Sequence, residues 1–133
     1  FFMANETTHV NTIHVSESGE VKIADDVLAI IAGLAASDVK GVASLAGNAT
    51  REIISRIGIK SVNKAIRLSV EDEDVIVWIK VNVRYGYNVP DTCSAVQKKV
   101  ADTIEMMTGL TVKEVNVRVN SVVMDKAAPA QKN

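Results

Sequence analysis

The sequence has few residues of some types, and each shortage excludes a class of protein. Its one cysteine, Cys93, excludes an internal disulfide framework and any metal site built from several cysteines. The longest unbroken apolar run, residues 27–36, is ten residues long, whereas a helix that crosses a bilayer needs about 20. We therefore expect no membrane span.

The chain also lacks an excess of either charge. Fifteen Lys and Arg residues stand against sixteen Asp and Glu residues, which gives a net charge of −1. Proteins that bind nucleic acid or anionic membranes usually show a cationic excess or a strong cationic cluster. The first residues have neither the basic flank nor the apolar stretch of a secretory signal. We expect a cytoplasmic protein.

The length and composition fit one folded domain between two polar ends. A chain of 133 residues buries roughly two-thirds of its unfolded surface, which is enough for one core. Its ends are polar or small and show little periodicity, which is typical of flexible tails. We predict tails over 1–18 and 125–133 and an α+β domain over 19–124.

The first half of the domain predicts two short strands with a helix between them. Residues 20–23 alternate in polarity, and the helix that follows runs to residue 37 or 38. Asp25 or Asp26 is its predicted N-cap and Gly41 its C-cap. Because this helix is apolar nearly all round, it must be covered on more than one side. Residues 42–45 are the second strand.

Segment 47–64 is the most basic part of the chain and predicts a short helix. Asn48 or Thr50 is the predicted N-cap, and Gly58 ends the helix. The segment contributes four basic residues: Arg51, Arg56, Lys60 and Lys64.

The second half of the domain predicts a hairpin, a long helix and a final strand. Residues 66–70 and 75–83 alternate in polarity on either side of a short acidic turn, which is typical of an antiparallel hairpin. Pro90 opens a helix with one continuous apolar face, and Gly109 ends it. The final strand begins near Thr111. Its neighbour in the sheet is either 65–71 or 74–84, and we favour the former.

These elements predict an α+β fold in the form of a two-layer sandwich. A small mixed β-sheet carries the two main helices on one face. The valine and isoleucine row of the strands lies under the helices, and the other face of the sheet is left open.

Catalytic and metal-binding patterns are weak throughout the chain. His9 and His14 lie in the polar N-terminal stretch without nearby cysteine ligands. Cys93 falls on the inward face of the second long helix, where a buried small side chain is expected. The carboxylate clusters fit a helix start and a hairpin turn, and no phosphate-loop or nucleophile motif is present. We predict no enzymatic activity, no cofactor and no metal.

A Tyr-Gly-Tyr sequence joins the hairpin to the second long helix. Glycine between two aromatic residues at a strand end is found at some ligand sites, helped by free helix N–H groups. The interpretation that we favour is structural, with Gly86 at a φ that only glycine tolerates and the tyrosines covering the edge of the core.

The open face of the predicted sheet carries the residues that favour an interaction surface. Basic side chains surround a single exposed tryptophan there, with asparagines at positions 82, 116 and 120. Tryptophan and arginine are favoured at the centres of protein interfaces, whereas single-stranded nucleic acid usually meets several stacking rings. A merely solvated face is the third interpretation. The predicted contact residues are Ile76, Trp78, Lys80, Arg84, Arg67 and Arg118.

Five segments, in this order and spacing, resemble the alkaline shock protein family of envelope-stress proteins from Gram-positive bacteria. They are GEVKIADDV (19–27), AGLAA (32–36), VKGV (39–42), VNVRYGYNVP (81–90) and MTGLTVKEVNV (107–117). The resemblance spans about 19–124. It implies a non-enzymatic cytoplasmic protein of the envelope stress response that self-associates and reaches the membrane through an anchored partner. The family's pattern supplies no catalytic residues to transfer.

Our leading hypothesis is therefore a homo-oligomeric scaffold that binds a membrane-anchored protein partner. The contact surfaces would be the open sheet face around Trp78 and the strongly apolar first helix. The alternative is a small nucleic-acid-binding domain that uses the basic outer face of the sheet together with segment 51–64.

Overall fold

The computed structural model describes residues 10–16 and 19–124 of the chain. Within these ranges the chain forms six strands and four helices, which confirms the predicted α+β class. In chain order they are β1 Val10–Ser16, β2 Gly19–Ala24, α1 Asp25–Ser37, β3 Val42–Leu45, α2 Arg51–Ile57, α3 Ile59–Val62, β4 Ile66–Glu71, β5 Asp74–Arg84, α4 Val89–Thr108 and β6 Thr111–Val123.

Strand β5 is the centre of the main sheet. The antiparallel strands β4 and β3 pair with it in turn, β4 along its first half and β3 along its second half. The parallel strand β6 pairs with β5 from end to end. Because a strand has two edges, β3 and β4 share one edge of β5 and β6 takes the other.

The expectation that the final strand pairs with 65–71 was wrong. Strand β6 lies beside β5, the strand from which helix α4 departs. A strand, a crossover helix and the next parallel strand commonly lie side by side in this way. Strand β4 is tied to the opposite edge of β5 by its short turn, so the edge left for β6 was the one facing away from β4.

The inner face of the sheet supplies the core. Alternate residues of β5 are buried there, from Val75 to Val83, and α1 and α4 pack together over this layer. Helix α4 contributes a buried row at helical spacing: Thr92, Val96, Val100 and Ile104. Both long helices therefore lie on one side of the sheet.

Helix α1 is covered on several sides by its own chain. It contacts α4, α2, α3, β3 and β4, as its nearly all-round apolar sequence predicted. Gly33 permits the closest approach, since a Cβ atom there would lie 3.0 Å from Cγ1 of Val62. The second predicted docking surface, helix α1, is thus largely used for packing within the molecule.

The predicted helix ends were right at α2 and α4, and α1 ends at Ser37 as predicted, but the residues predicted to cap α1 were wrong. Thr50 caps α2, and Gly58 ends it; Gly109 ends α4 in the left-handed region at φ 80°. The N-cap of α1 is Ala24, without a side-chain hydrogen bond, and its C-cap is Asp38 instead of Gly41.

Two residues that were wrongly predicted as caps of α1 have other structural roles. Asp25 accepts a hydrogen bond at 2.7 Å from Nδ2 of Asn11. Gly41 has a φ of 94°, and a Cβ atom there would lie 2.9 Å from Oγ1 of Thr92. A side chain at position 41 would therefore meet both backbone strain and a steric clash.

Part of the predicted N-terminal tail is a strand. Residues 10–16 form β1, which pairs antiparallel with β2 as a separate two-stranded sheet. Asn11 and Ile13 are buried, and Asn11 also donates to the carbonyl oxygen of Ile23 at 3.1 Å. Because the buried Asn11 is polar, residues 10–16 do not show the alternation of polarity that predicts a strand. Residues 1–9 and 125–133 of the predicted tails lie outside the described residues.

Candidate interaction surface

The candidate site is the outer face of the main sheet, opposite the two long helices. Trp78 points out from the middle of β5 and is 42% exposed. The side chains before and after it in the strand, Val77 and Ile79, are buried on the inner face. The strand phasing inferred from alternation is thus confirmed at this residue.

Strand register places the predicted contact residues in two adjacent rows. In the first row Trp78 lies between Arg67 of β4 and Asn116 of β6. In the next row Lys80 pairs with Arg118 of β6. Residues two apart on one face are about 6.8 Å apart along a strand, so the two rows form one patch.

The remaining two predicted residues lie on the same face but at its ends. Ile76 is half-buried and lies opposite Ser69 and Glu114. Arg84 is half-buried at the last position of β5, two rows beyond Lys80. The structure therefore brings Trp78, Arg67, Lys80 and Arg118 together and leaves Arg84 at the edge of the group.

A hollow of about 460 Å³ opens beside Trp78. Three stretches line it: residues 63–67, 78–80 and 116–118. Four of the lining residues are cationic and none is acidic: Lys64, Arg67, Lys80 and Arg118. None of the four makes an ion pair within the ranges that the structure describes. We call this set the cationic hollow.

Lys64 joins the hollow from the basic segment that precedes β4. In the sequence, Lys64 belonged only to the nucleic-acid alternative, as part of the basic segment 51–64. The hydrogen bond from the backbone N–H of Lys80 to the carbonyl oxygen of Ala65, 2.9 Å long, holds the end of this segment against β5. This contact, which no local pattern indicates, places Lys64 at the hollow.

Acidic residues occupy the other end of the same face. Glu114 lies opposite Ile76, and the β4–β5 turn brings Glu71 and Asp74 together as the next pair. The carboxylate of Glu114 accepts a hydrogen bond from Nδ2 of Asn116 at 3.3 Å. The outer face is therefore divided into a cationic half around Trp78 and an acidic half near the turn.

Asn82 differs from the exposed polar rim that the sequence predicted, whereas Asn120 is exposed. Asn82 is 4% exposed, and its amide donates to Oγ of Ser44 at 2.9 Å and to the carbonyl oxygen of Leu45 at 3.2 Å. Its amide oxygen accepts from Oγ of Ser121 at 2.9 Å. Asn120 is the extra residue where the β5–β6 register shifts. Asn82 thus ties three strands together and is not a contact residue.

Comparison with known proteins identifies the family. The model of the ASP23 (alkaline shock protein) family, described as having a cell envelope-related function, matches residues 14–124. The chain belongs to the alkaline shock protein family. The match confirms the resemblance of the five segments and spans most of the chain.

Relatives of this family member occur in Bacillus and Streptococcus. Uncharacterized protein YqhY of Bacillus subtilis is 30% identical over 126 residues, which cover 95% of this chain and 87% of the relative. Uncharacterized protein Spy1535 of Streptococcus pyogenes is 30% identical over 109 residues, covering 81% and 82%. Uncharacterized protein YloU of Bacillus subtilis is 29% identical over 106 residues, covering 78% and 88%. No solved structure matched this chain significantly.

The nucleophile and metal candidates of this family member lie in different parts of the chain. Burial raises the pKa of the Cys93 thiol from its ordinary value. His9 lies outside the described residues, and His14 falls on β1 opposite Glu20. Among the side chains that the structure describes, those of residues 10–13 and 19–124, no three from His, Cys, Asp or Glu cluster closely enough for a metal ion. Across the same residues, no helix has the length and apolarity needed to span a bilayer.

The Tyr-Gly-Tyr sequence of this family member leads into an exposed apolar cluster. Gly86 has a φ of 100°, as the structural interpretation required, but Tyr85 is 69% exposed and Tyr87 44%. The backbone N–H of Tyr85 donates to the carbonyl oxygen of Val123 at 2.9 Å, so the end of β6 lies beside the loop. We call the exposed side chains at this end of the sheet the apolar rim: Tyr85, Tyr87, Val89, Val122 and Met124.

Proposed function

We propose that this protein is a non-catalytic adaptor in cell-envelope homeostasis, which binds a membrane-anchored protein partner and self-associates. The observation that carries the proposal is the half-exposed Trp78 inside the cationic hollow, on a sheet face opposite both long helices. Tryptophan and arginine are the residues most enriched at the energetic centres of interfaces. The family's cell envelope-related function supports the cellular setting.

Two surfaces support the two parts of the proposal. The outer face around Trp78 serves the membrane-anchored partner, because it combines an aromatic centre with the four cations of the hollow, which make no ion pair with the described residues. The apolar rim serves self-association, because five large apolar side chains are exposed near one end of the sheet. Helix α1 serves neither, since its apolar surface packs against the rest of the chain.

The raised thiol pKa of Cys93 supports the non-catalytic part. A cysteine nucleophile needs its thiolate, and reactive cysteines usually have a lowered pKa. The shift at Cys93 has the opposite direction and comes from burial.

Membrane fractionation in the native host tests the docking face. Wild-type protein is expected to sediment with membranes through its partner, and Trp78→Ala is expected to reduce the membrane-bound fraction strongly. Truncation of an interface hot spot costs about 2 kcal/mol or more, roughly a 30-fold loss of affinity. Met106→Ala is the matched control, because Met106 is 78% exposed on α4, and it should fractionate like the wild type.

The assignment of the docking face is wrong if the Trp78→Ala protein remains folded and sediments with membranes as the wild type does. Circular dichroism of both variants separates loss of docking from loss of fold. A titration with single-stranded RNA at increasing salt separates the nucleic-acid alternative, which predicts tight binding that falls steeply as salt rises.

A further inference from the structure

The cationic hollow presents four positive charges, and none of them is paired with an acidic residue in the part of the chain that the structure describes. Lys64, Arg67, Lys80 and Arg118 surround one half-exposed indole, and no acidic side chain lines the hollow. The described acids on this face lie toward the β4–β5 turn, with Glu114 in the row of Ile76 and Glu71 and Asp74 in the row after it. A ligand that carries negative charge and an apolar group would complement this arrangement.

We infer that the cationic hollow binds an acidic, extended segment of a protein partner, with one apolar side chain packed on Trp78. This inference rests on the docking face of the proposed function and specifies the chemistry of the partner. Arg67 lies directly across from Trp78 on β4, and Arg118 lies across from Lys80 on β6. Because successive side chains of an extended segment alternate between its two faces, acidic residues two positions before and two positions after the apolar residue share its face and can reach the two guanidinium groups.

The side chains suit carboxylates held at fixed positions. The guanidinium groups of Arg67 and Arg118 offer planar pairs of N–H donors that match a carboxylate. Lys64 and Lys80 add point charges that tolerate a range of positions. The indole supplies the apolar contact area that a purely ionic patch would lack.

The extent of the patch favours a peptide over a nucleic-acid strand. Three of the cations occupy two rows of the sheet, whereas Glu114 lies in the row of Ile76 and Glu71 and Asp74 lie in the row after it. A phosphate backbone that continued along the face would meet these carboxylates. Platforms for single strands stack successive bases on several rings, whereas Trp78 is the chain's only tryptophan and the single aromatic residue lining the hollow.

Intrinsic fluorescence gives a direct test, because Trp78 is the only tryptophan of the full chain. The probe is a short tryptophan-free peptide with acidic residues on both sides of a central leucine. The first control is the same peptide with Gln and Asn in place of Glu and Asp. The second is a uridine oligonucleotide of equal negative charge. We expect a saturable change in Trp78 emission with the acidic peptide, at least about tenfold weaker affinity for the neutral peptide, and weaker binding of the oligonucleotide.

Charge variants locate the binding within the hollow. Arg118→Glu is expected to lower the affinity for the acidic peptide about tenfold or more. Lys99→Glu makes the same change in net charge at an exposed position of α4, and it should leave the affinity within about twofold, the scale of an exposed surface charge.

Three results would overturn the inference. If the neutral peptide binds with the same affinity as the acidic one, charge does not determine binding. If the oligonucleotide binds more tightly than the acidic peptide, the hollow is a nucleic-acid site. If the acidic peptide causes no saturable change in Trp78 emission up to millimolar concentration, an acidic peptide is excluded as the ligand of the hollow. None of these changes the fractionation result for Trp78→Ala, so the docking face is judged separately.

Discussion

The thiol of Cys93 is subject to two effects that shift its pKa in opposite directions. It lies near the N-terminus of α4, where the helix dipole favours the thiolate. Partial burial in the packed layer disfavours the charged form. Burial prevails, and the pKa of Cys93 is raised. The thiol is therefore suited to packing and poorly suited to nucleophilic chemistry.

The rate of alkylation measures this shift. Iodoacetamide should modify Cys93 slowly in the native protein, and the rate should rise at a higher pH than it does in the urea-unfolded chain. Because the folded-state pKa is the higher one, folding stability should fall as pH rises past the ordinary thiol pKa. Cys93→Ala should lack that part of the pH dependence. A native inflection at or below that of the unfolded chain would contradict the assignment.

The asparagines of the outer face mark the limit of prediction at the scale of residues. Positions 82 and 116 have the same residue type and the same strand phase. The structure buries Asn82 between Ser44 and Ser121, whereas Asn116 is exposed. Alternation gives the face on which a side chain lies. It does not give the small neighbours on other strands that close over it.

Asn82 connects the elements of the sheet. Its amide joins β3 to β5 through Ser44 and the carbonyl oxygen of Leu45, and its oxygen joins β6 through Ser121. We expect Asn82→Ala to lower the free energy of unfolding by about 2 kcal/mol, because buried polar partners lose their hydrogen bonds. Urea denaturation measures the change.

Asn116→Ala is the matched control for this prediction. Its side-chain hydrogen bonds are long, 3.3 and 3.4 Å, and it is exposed on the same face. We expect a loss within about 0.5 kcal/mol, as at most surface positions. Equal losses for the two variants would show that the network of Asn82 does not hold the strands together.

Most elements and the pairing of β4 with β5 followed from local patterns, whereas the pairing of β6 did not. Alternation predicted the hairpin of β4 and β5, and Pro90 and Gly109 predicted the two ends of α4. The neighbour of β6 depended on which edge of β5 remained free, and that is settled by contacts among three distant segments. Strand β1 was missed because its stabilising contacts, such as Asn11 with Asp25, cross from strand to helix.

At the scale of the whole molecule, the surfaces proposed for binding lie apart. The cationic hollow is on the outer face of the sheet beside the middle of β5. The apolar rim is at the end where β5 and β6 finish and α4 begins. One copy can therefore use the hollow for a partner while the rim contacts a second copy. An adaptor that both assembles and docks requires this separation.

Light scattering after size exclusion tests the apolar rim. The wild-type protein is expected to show a mass above the 14.3 kDa monomer that grows with concentration. Tyr85→Ser should weaken the association by roughly 30-fold, because Tyr85 is the most exposed aromatic side chain of the rim and aromatic truncation at an interface centre costs about 2 kcal/mol.

The control Met106→Ser, at the opposite end of α4, should behave as the wild type. Trp78→Ala should also retain the assembly, since it removes only the docking face. A monomeric wild type at millimolar concentration would exclude self-association through the rim, and a loss of assembly in Trp78→Ala alone would move the self-contact to the outer face.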